Sequence, residues 1–171
     1  MGTERSDKAY AAYVEASQKF DYFVVGLSVA LVGYLGAGFR AVPLGWNPPT
    51  VELAAIAALL LSAIAGLKRI ESNVTLLGTS QRRLWEQEAA GGMKSAAMGG
   101  GPALNKGTGQ VLGSAQLITE AYRHQIVAEV MTRQLEQIAQ QCDRWYRVRN
   151  FLLVFGLALL VLARLLVAYI P

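Results

Sequence analysis

The sequence predicts an all-α integral membrane protein with three transmembrane helices and a cytoplasmic antiparallel helical hairpin of the coiled-coil type. The first observation is composition: 53% of the residues are hydrophobic and only 16% are charged, whereas a soluble domain averages about 25% charged residues. The second is that three long stretches hold almost no charge. The third is heptad spacing of apolar residues between the second and third stretches.

The three apolar stretches are predicted transmembrane helices at 20–39, 51–70 and 150–171. Each is close to the roughly 20 residues that a helix needs to cross the hydrocarbon core. A core helix of a soluble protein normally keeps a polar face, and the segment "IAALLLSAIAGL" in the second stretch has none. Pro43 and Pro48-Pro49 enforce a turn in the connecting loop 40–50.

Residues 1–19 are predicted to form an amphipathic helix that begins near Ser6 or Asp7 and continues into the first span. This polar leader carries acidic residues, and the apolar run after it exceeds a typical signal-peptide core. We therefore interpret the apolar run as a retained span.

Lysine and arginine are concentrated in one segment. Eleven of the 16 lie in 68–149, whereas the 40–50 loop holds only Arg40. Since an excess of basic residues marks the cytoplasmic side, residues 1–19 and 71–149 are predicted to be cytoplasmic and the carboxyl terminus external. The absence of sorting signals suggests a multi-pass protein of a bacterial cell inner membrane.

The segment 71–149 is predicted to form the hairpin. The second helix begins near Thr50, the third begins near Ser114, and a glycine-rich loop at 91–113 connects them. This loop is not a phosphate-binding loop, because Lys106 precedes Gly107 and no strand leads into it. The predicted arms are unequal, so the longer one must pack on the amino-terminal helix or on another subunit.

Apolar residues at alternating spacings of three and four form a seam on each arm. His124 lies on the seam, where a polar residue usually sets register or partner number; a ligand or a pH switch is the alternative. Cys142 is expected to be a small buried hydrophobe, with palmitoylation or redox sensing as alternatives. The seam residues are Leu77, Leu84, Leu117, His124, Met131, Leu135, Ile138 and Cys142.

Small residues recur every three or four positions in the first two spans, a pattern that lets helix backbones approach closely in lipid. These stripes have two interpretations, packing within the monomer and self-association. A single helix–helix contact would bury both stripes only if the first and second spans packed face to face. The stripes are Gly26, Ala30, Gly33 and Ala37 in the first span and Ala54, Ala58, Ser62 and Gly66 in the second.

Two ionisable residues lie within or beside the spans. Arg164 has three interpretations: snorkelling to the outer surface, pairing with Glu52, or forming a ring around an oligomeric pore that favours anions. Asp21, at the inner end of the first span, could pair with Lys68, Arg147 or Arg149, or be solvated among headgroups.

The chemistry of an enzyme is not indicated. Cys142 and His124 are the only residues of their types, so a disulfide and the common structural zinc sites are excluded. Neither a paired-carboxylate cluster nor a nucleophile triad is found, and we expect no cofactor and no metal. Nucleic acid is not an expected partner, because no recognisable binding module is present.

The stretches "AYVEASQKFDYFVVGLSVALVGYLGAGFR" and "ELAAIAALLLSAIAGLKRIESNVTLLG" resemble, in layout, SLATT-type membrane effector domains of bacterial conflict systems. The resemblance covers about half of the chain and implies a pore-forming role. The expected partners are the lipid bilayer and further copies of the chain in a homo-oligomer. The expected function is a non-enzymatic, channel-like effector gated by its cytoplasmic helices, and the alternative is an accessory subunit of a larger membrane complex.

Overall fold

The computed structural model consists almost entirely of three long helices. It describes residues 4–39, 43, 45, 47–100, 103–104 and 111–169. The helices are α1 (Glu4–Gly38), α2 (Pro48–Met98) and α3 (Ser114–Tyr169), with two short strands, β1 (Ala103–Leu104) and β2 (Val111–Leu112), between α2 and α3. All three helices are long and apolar enough to cross a membrane, which confirms the helical class and the number of candidate spans.

Helix α1 is continuous through the first apolar stretch, as predicted, and begins at Glu4. Helix α2 begins two residues earlier than predicted, because Asn47 rather than Thr50 caps it. The Asn47 Oδ1 atom accepts hydrogen bonds from the Thr50 backbone N–H at 3.0 Å and from the Thr50 hydroxyl at 2.6 Å. Pro48 is compatible with the first helical position because it lacks only an N–H that would have no partner inside the helix.

The end of α2 corrects the predicted loop at 91–113. Gly91 and Gly92 lie inside the helix, which continues to Met98. Each helical glycine costs about 1 kcal/mol relative to alanine, but the neighbouring residues, "EAA" and "MKSAAM", are mostly good helix formers. Gly100 follows the helix with a φ of +70°, a left-handed conformation that glycine adopts readily at helix ends.

The predicted glycine-rich loop also contains a two-residue ladder. β1 and β2 pair antiparallel, with Ala103 opposite Leu112 and Leu104 opposite Val111. Positions 101–102 and 105–110 of the loop, and 40–42, 44 and 46 of the connection between α1 and α2, lie outside the described residues.

The chain forms two compact units, which we describe separately. The three-helix unit comprises Met1–Glu71 and Gln141–Pro171, and the two-helix unit comprises Ser72–Gln140. Leu59 is fully buried in the three-helix unit, and Leu117 and Ala121 are almost fully buried in the two-helix unit. Each unit therefore has a core of its own.

The structure separates the two predicted seams. On α3, the seam residues Leu117, Met131 and Cys142 are buried, and His124, Leu135 and Ile138 are half-buried. On α2, however, Leu77 and Leu84 are 37% and 49% exposed, which corrects their assignment to the buried seam. The α2 positions that are shielded instead are Leu76, Thr79, Ser80, Arg83, Glu86 and Ala90.

Candidate functional site

A buried cluster of charge joins the three helices of the three-helix unit. Asp21 of α1 accepts, at its Oδ1 atom, hydrogen bonds from Arg69 Nη1 of α2 and Arg149 Nη1 of α3, both at 2.5 Å. The side chains of Asp21 and Arg149 are 1% and 0% exposed, and that of Arg69 is 14% exposed. We call these three residues the ion triad.

Neighbouring polar groups satisfy much of the remaining hydrogen-bonding capacity of Arg149. Its Nε and Nη2 atoms both donate to Asn150 Oδ1, at 3.1 and 3.0 Å, and Arg69 Nη2 donates to Ser17 Oγ at 3.5 Å. Among the described residues, Asp21 Oδ2 and Arg69 Nε have no hydrogen-bond partner. Charge-assisted hydrogen bonds of this kind are roughly twice as strong as neutral ones.

Aromatic rings cover both guanidinium groups. The ring centroid of Tyr146 lies 4.3 Å from the Arg69 guanidinium carbon and 5.2 Å from that of Arg149. The Phe20 ring centroid lies 5.6 Å from Arg149. These distances are within the roughly 6 Å of a favourable cation–π contact. Since one carboxylate faces two guanidinium groups, the triad carries a net charge of +1, and the rings offset part of that excess.

Close packing of α2 on its neighbours brings the triad together. The Ser62 hydroxyl donates to the backbone oxygen of Arg149 at 3.0 Å. A β-carbon at Gly66 would overlap the Val25 side chain and lie 3.3 Å from Arg149 Cδ. On the other side of the contact, a β-carbon at Gly156 would lie 3.0 Å from Leu59 Cγ. Small residues are therefore required where these helices cross.

The two predicted small-residue stripes have different environments. In α2, Ala58, Ser62 and Gly66 are buried within the unit, and only Ala54 is exposed. In α1, the whole stripe of Gly26, Ala30, Gly33 and Ala37 is exposed. No described atom lies within 4 Å of a β-carbon built at Gly26 or Gly33. Face-to-face packing of both stripes therefore does not occur within the monomer.

Part of the triad was predicted from the sequence. Arg149 was among the predicted partners of Asp21, and the structure brings these two residues together. Asp21 is buried rather than solvated, so that alternative is wrong. Of the other two candidates, Lys68 Nζ lies 2.8 Å from Glu71 Oε2, and Arg147 pairs with Asp143. Arg69 was missed. The available signal was its spacing, because Ser62, Gly66 and Arg69 recur at intervals of four and three residues and so share one helix face.

Another ion pair of this unit joins Glu52 of α2 and Arg164 of α3. Arg164 Nη2 lies 3.5 Å from Glu52 Oε1, with side-chain exposures of 65% and 25%. This is the predicted pairing rather than an isolated snorkelling arginine. Its exposure makes it a weak contact in energetic terms, but it leaves the guanidinium accessible from outside the monomer.

The two-helix unit has its own polar contact. Glu86 Oε2 lies 2.5 Å from His124 Nδ1, and these side chains are 8% and 21% exposed. The rings of His124 and Trp85 form a T-shaped contact, with a centroid distance of 5.8 Å and an interplanar angle of 79°. His124 therefore lies on the α3 seam with an acidic partner on α2. Its register-setting role stays a prediction.

A shallow groove of about 360 Å³ lies in the two-helix unit. Lys94 Nζ at its edge donates to Gln125 Oε1 at 2.8 Å. Within the described part of the chain, no three His, Cys, Asp or Glu side chains come together as a metal site. The groove is lined by Gln87, Ala90, Gly91, Lys94, Gln125, Ala128, Glu129 and Thr132.

Comparison with protein-family models, with curated proteins and with solved structures finds no match for this chain. The resemblance to SLATT-type domains therefore stays a prediction. Chemically, the ion triad holds helices and a charge in place. The Oδ1 atom of its carboxylate is shared by two guanidinium groups, and the Asp21 side chain is 1% exposed.

Proposed function

We propose that the protein is a non-enzymatic integral membrane protein that functions as an oligomer. Helices α1, α2 and α3 each cross the bilayer once in this proposal. Residues 1–19 and an antiparallel α2–α3 hairpin at 71–149 lie in the cytoplasm, and the carboxyl terminus is external. The large apolar side chains that the three-helix unit exposes support the insertion, because water would not tolerate them. They include Phe23, Leu61, Phe151, Val154, Leu165 and Val167.

The observation that carries self-association is the exposed stripe on α1. The corresponding stripe on α2 is occupied inside the monomer, whereas Gly26 and Gly33 face open space. In lipid, the close approach of backbones along small residues drives helix association. A second copy of the chain is the partner that is always available to such a face at the same depth in the bilayer.

We propose a channel-like effector role for the oligomer, with the cytoplasmic hairpin as its sensor or gate. Arg164 supports this role, because it is 65% exposed on a span. A ring of arginines at a constriction favours anions. Tyr34, which is 76% exposed on α1, is a second polar group available to line such a passage.

Ion flux across liposomes tests this role. Purified protein in liposomes is expected to pass chloride faster than potassium, and Arg164→Gln is expected to abolish the preference while leaving insertion intact. Arg123→Gln is the matched control, because Arg123 is an exposed arginine outside the spans. Liposomes that never leak, although they contain inserted oligomer, would exclude the channel-like role.

An accessory subunit of a larger membrane complex is the second candidate. The exposed apolar side chains of the two-helix unit favour it, since Trp85 and Tyr122 are 60% and 59% exposed. This candidate predicts that unrelated chains co-purify in fixed proportion and that conductance is absent. The mass of the particle in mild detergent, with the identity of its components, distinguishes the two roles.

Membrane insertion has a separate test. A tag at residue 100 is expected to report the cytoplasm and a tag at residue 171 the external side. Reports from the same compartment, or a chain that stays soluble without detergent, would contradict the proposal.

A further inference from the structure

An apolar heptad seam lies exposed on α2, beside the α2 positions that the two-helix unit shields. We call those shielded positions the buried seam: Leu76, Thr79, Ser80, Arg83, Glu86 and Ala90. Val74, Leu77 and Leu84 are 62%, 37% and 49% exposed, and Gln81 completes the series with a spacing of three, four and three residues. This is the spacing of a coiled-coil contact face. We call these four residues the outer seam.

The outer seam and the buried seam are different faces of one helix. Each outer residue follows a shielded one by a single position: Leu77 follows Leu76, Gln81 follows Ser80, and Leu84 follows Arg83. At 3.6 residues per turn, one position corresponds to a rotation of about 100°. The contacts made by the buried seam therefore leave the outer seam available.

The distribution of polarity between the two faces is inverted. The buried seam contains Arg83 and Glu86, whereas three of the four outer positions are Val or Leu. In an isolated two-helix unit, the more apolar face would pack inward and the polar face would meet water. A further helix covering the outer seam accounts for this inversion.

The identity of that helix follows from membrane anchoring, so this step rests on the proposed function. All copies inserted with the same topology present α2 in the same direction and at the same height. The outer seam of one copy then meets the same residues of the next in parallel and in register. Such an arrangement is possible only if the residues that flank the outer seam do not carry like charges that would repel each other across the two copies.

The flanking positions meet that condition. The residues beside the outer seam are Asn73, Gly78, Ser80, Trp85 and Gln87, and none carries a charge. At Gln81 the amide both donates and accepts hydrogen bonds, so two copies satisfy each other across a symmetric contact. One polar core residue of this kind also selects register and partner number. Glu88 occupies the next core position. In a parallel pair it would face Glu88 of the second copy, and repulsion between the two carboxylates ends the seam there.

We propose that the outer seam of α2 pairs, parallel and in register, with the outer seam of a second copy of this chain. The contact joins hairpins outside the bilayer and is separate from the α1 stripe. It gives the oligomer a defined orientation of its cytoplasmic parts.

Disulfide cross-linking of the full-length protein in native membranes tests the pairing. The native thiol is first removed as Cys142→Ala, and Leu77→Cys and Leu84→Cys are then introduced separately. A disulfide requires β-carbons roughly 3.5–4.5 Å apart, which facing core positions reach after small movements. Arg82→Cys is the matched control, because Arg82 is exposed but lies on neither seam.

Mild oxidation is expected to convert both seam variants to a band of twice the chain mass, with little of this band from the Arg82 variant. A Gln81→Cys variant is expected to cross-link in the same way. Adding Leu77→Asp and Leu84→Asp to this variant is expected to abolish its cross-linking. Absence of the dimer band from the seam variants, equal cross-linking at Arg82, or a band of another mass would each overturn the pairing.

Parallel measurements separate failure of this inference from failure of the proposed function. If the detergent particle is oligomeric and the tags at residues 100 and 171 report opposite sides, yet the seam variants do not cross-link, only the outer-seam contact is wrong. A monomeric particle, or tags on one side, overturns the membrane oligomer as well as the seam pairing that depends on it.

Discussion

Replacing Asp21 with asparagine removes the only carboxylate of the ion triad while preserving its shape. The variant leaves the guanidinium groups of Arg69 and Arg149 facing each other in a site where the Arg149 side chain is 0% exposed. Removing one partner of a buried ion pair costs about 3–5 kcal/mol, because the remaining charge is buried without compensation. For a chain of this size, we expect the midpoint of thermal unfolding to fall by about 6–20 °C.

The matched control is Asp143→Asn. Asp143 also pairs with an arginine, Arg147, but these side chains are 57% and 76% exposed. Exposed pairs contribute about 0–1 kcal/mol, so this variant should unfold close to the parent temperature. Arg149→Met supplies a second comparison, because it leaves Asp21 and Arg69 as a neutral pair and should cost less than Asp21→Asn.

Thermal unfolding in one detergent, followed by circular dichroism and by the loss of monodisperse particles, measures all three variants. The reasoning fails if Asp21→Asn unfolds within a degree or two of Asp143→Asn. It also fails if Arg149→Met is the more destabilising of the two triad variants, since the excess of positive charge would then not be the dominant cost.

Three further variants test the packing at Gly66 and the contact between Glu86 and His124. Gly66→Val should destabilise the protein by about 1–3 kcal/mol through overpacking, because the added atoms would meet Val25 and Arg149. Gly92→Ala, at an open helical position, should instead stabilise the protein by about 0.5–1 kcal/mol. Equal melting temperatures for these two variants would refute the difference. Glu86→Ala should cost about 1–3 kcal/mol, because His124 loses its partner in a half-buried site, and tryptophan fluorescence should shift as Trp85 loses its fixed neighbour; an unchanged spectrum and melting temperature would contradict this.

The sequence was sufficient for the helices because their signals are long. Three stretches with almost no charge and sustained periodicity determine helix type over tens of residues. The α3 seam was likewise identified, since Leu117, Met131 and Cys142 recur at coiled-coil spacing and are buried. Glycine pairs carry less information, because Gly91 and Gly92 weaken a helix without ending it.

The α2 seam shows where periodicity fails. Choosing the most apolar heptad selects Leu77 and Leu84, but the face that the two-helix unit buries includes Glu86. The partner of Glu86 is His124, 38 positions away in the sequence, and no local pattern encodes such a pairing. Arg69 was missed because it lies beside Lys68, where a basic residue is typical of a membrane interface. The spacing that places it on one helix face with Ser62 and Gly66 carries a weaker signal than that position.

The distribution of the ion triad over three helices has a consequence for the order of biogenesis. Asp21 and Arg69 lie on the two helices that emerge first, so a nascent chain can match one negative charge with one positive charge before α3 is made. Helix α3 then supplies the second guanidinium, that of Arg149; in the topology proposed above, this surplus cation would resist transfer across the bilayer. Under that proposal, the same guanidinium that completes the fold would also help to retain residues 71–149 on the side where they were synthesised.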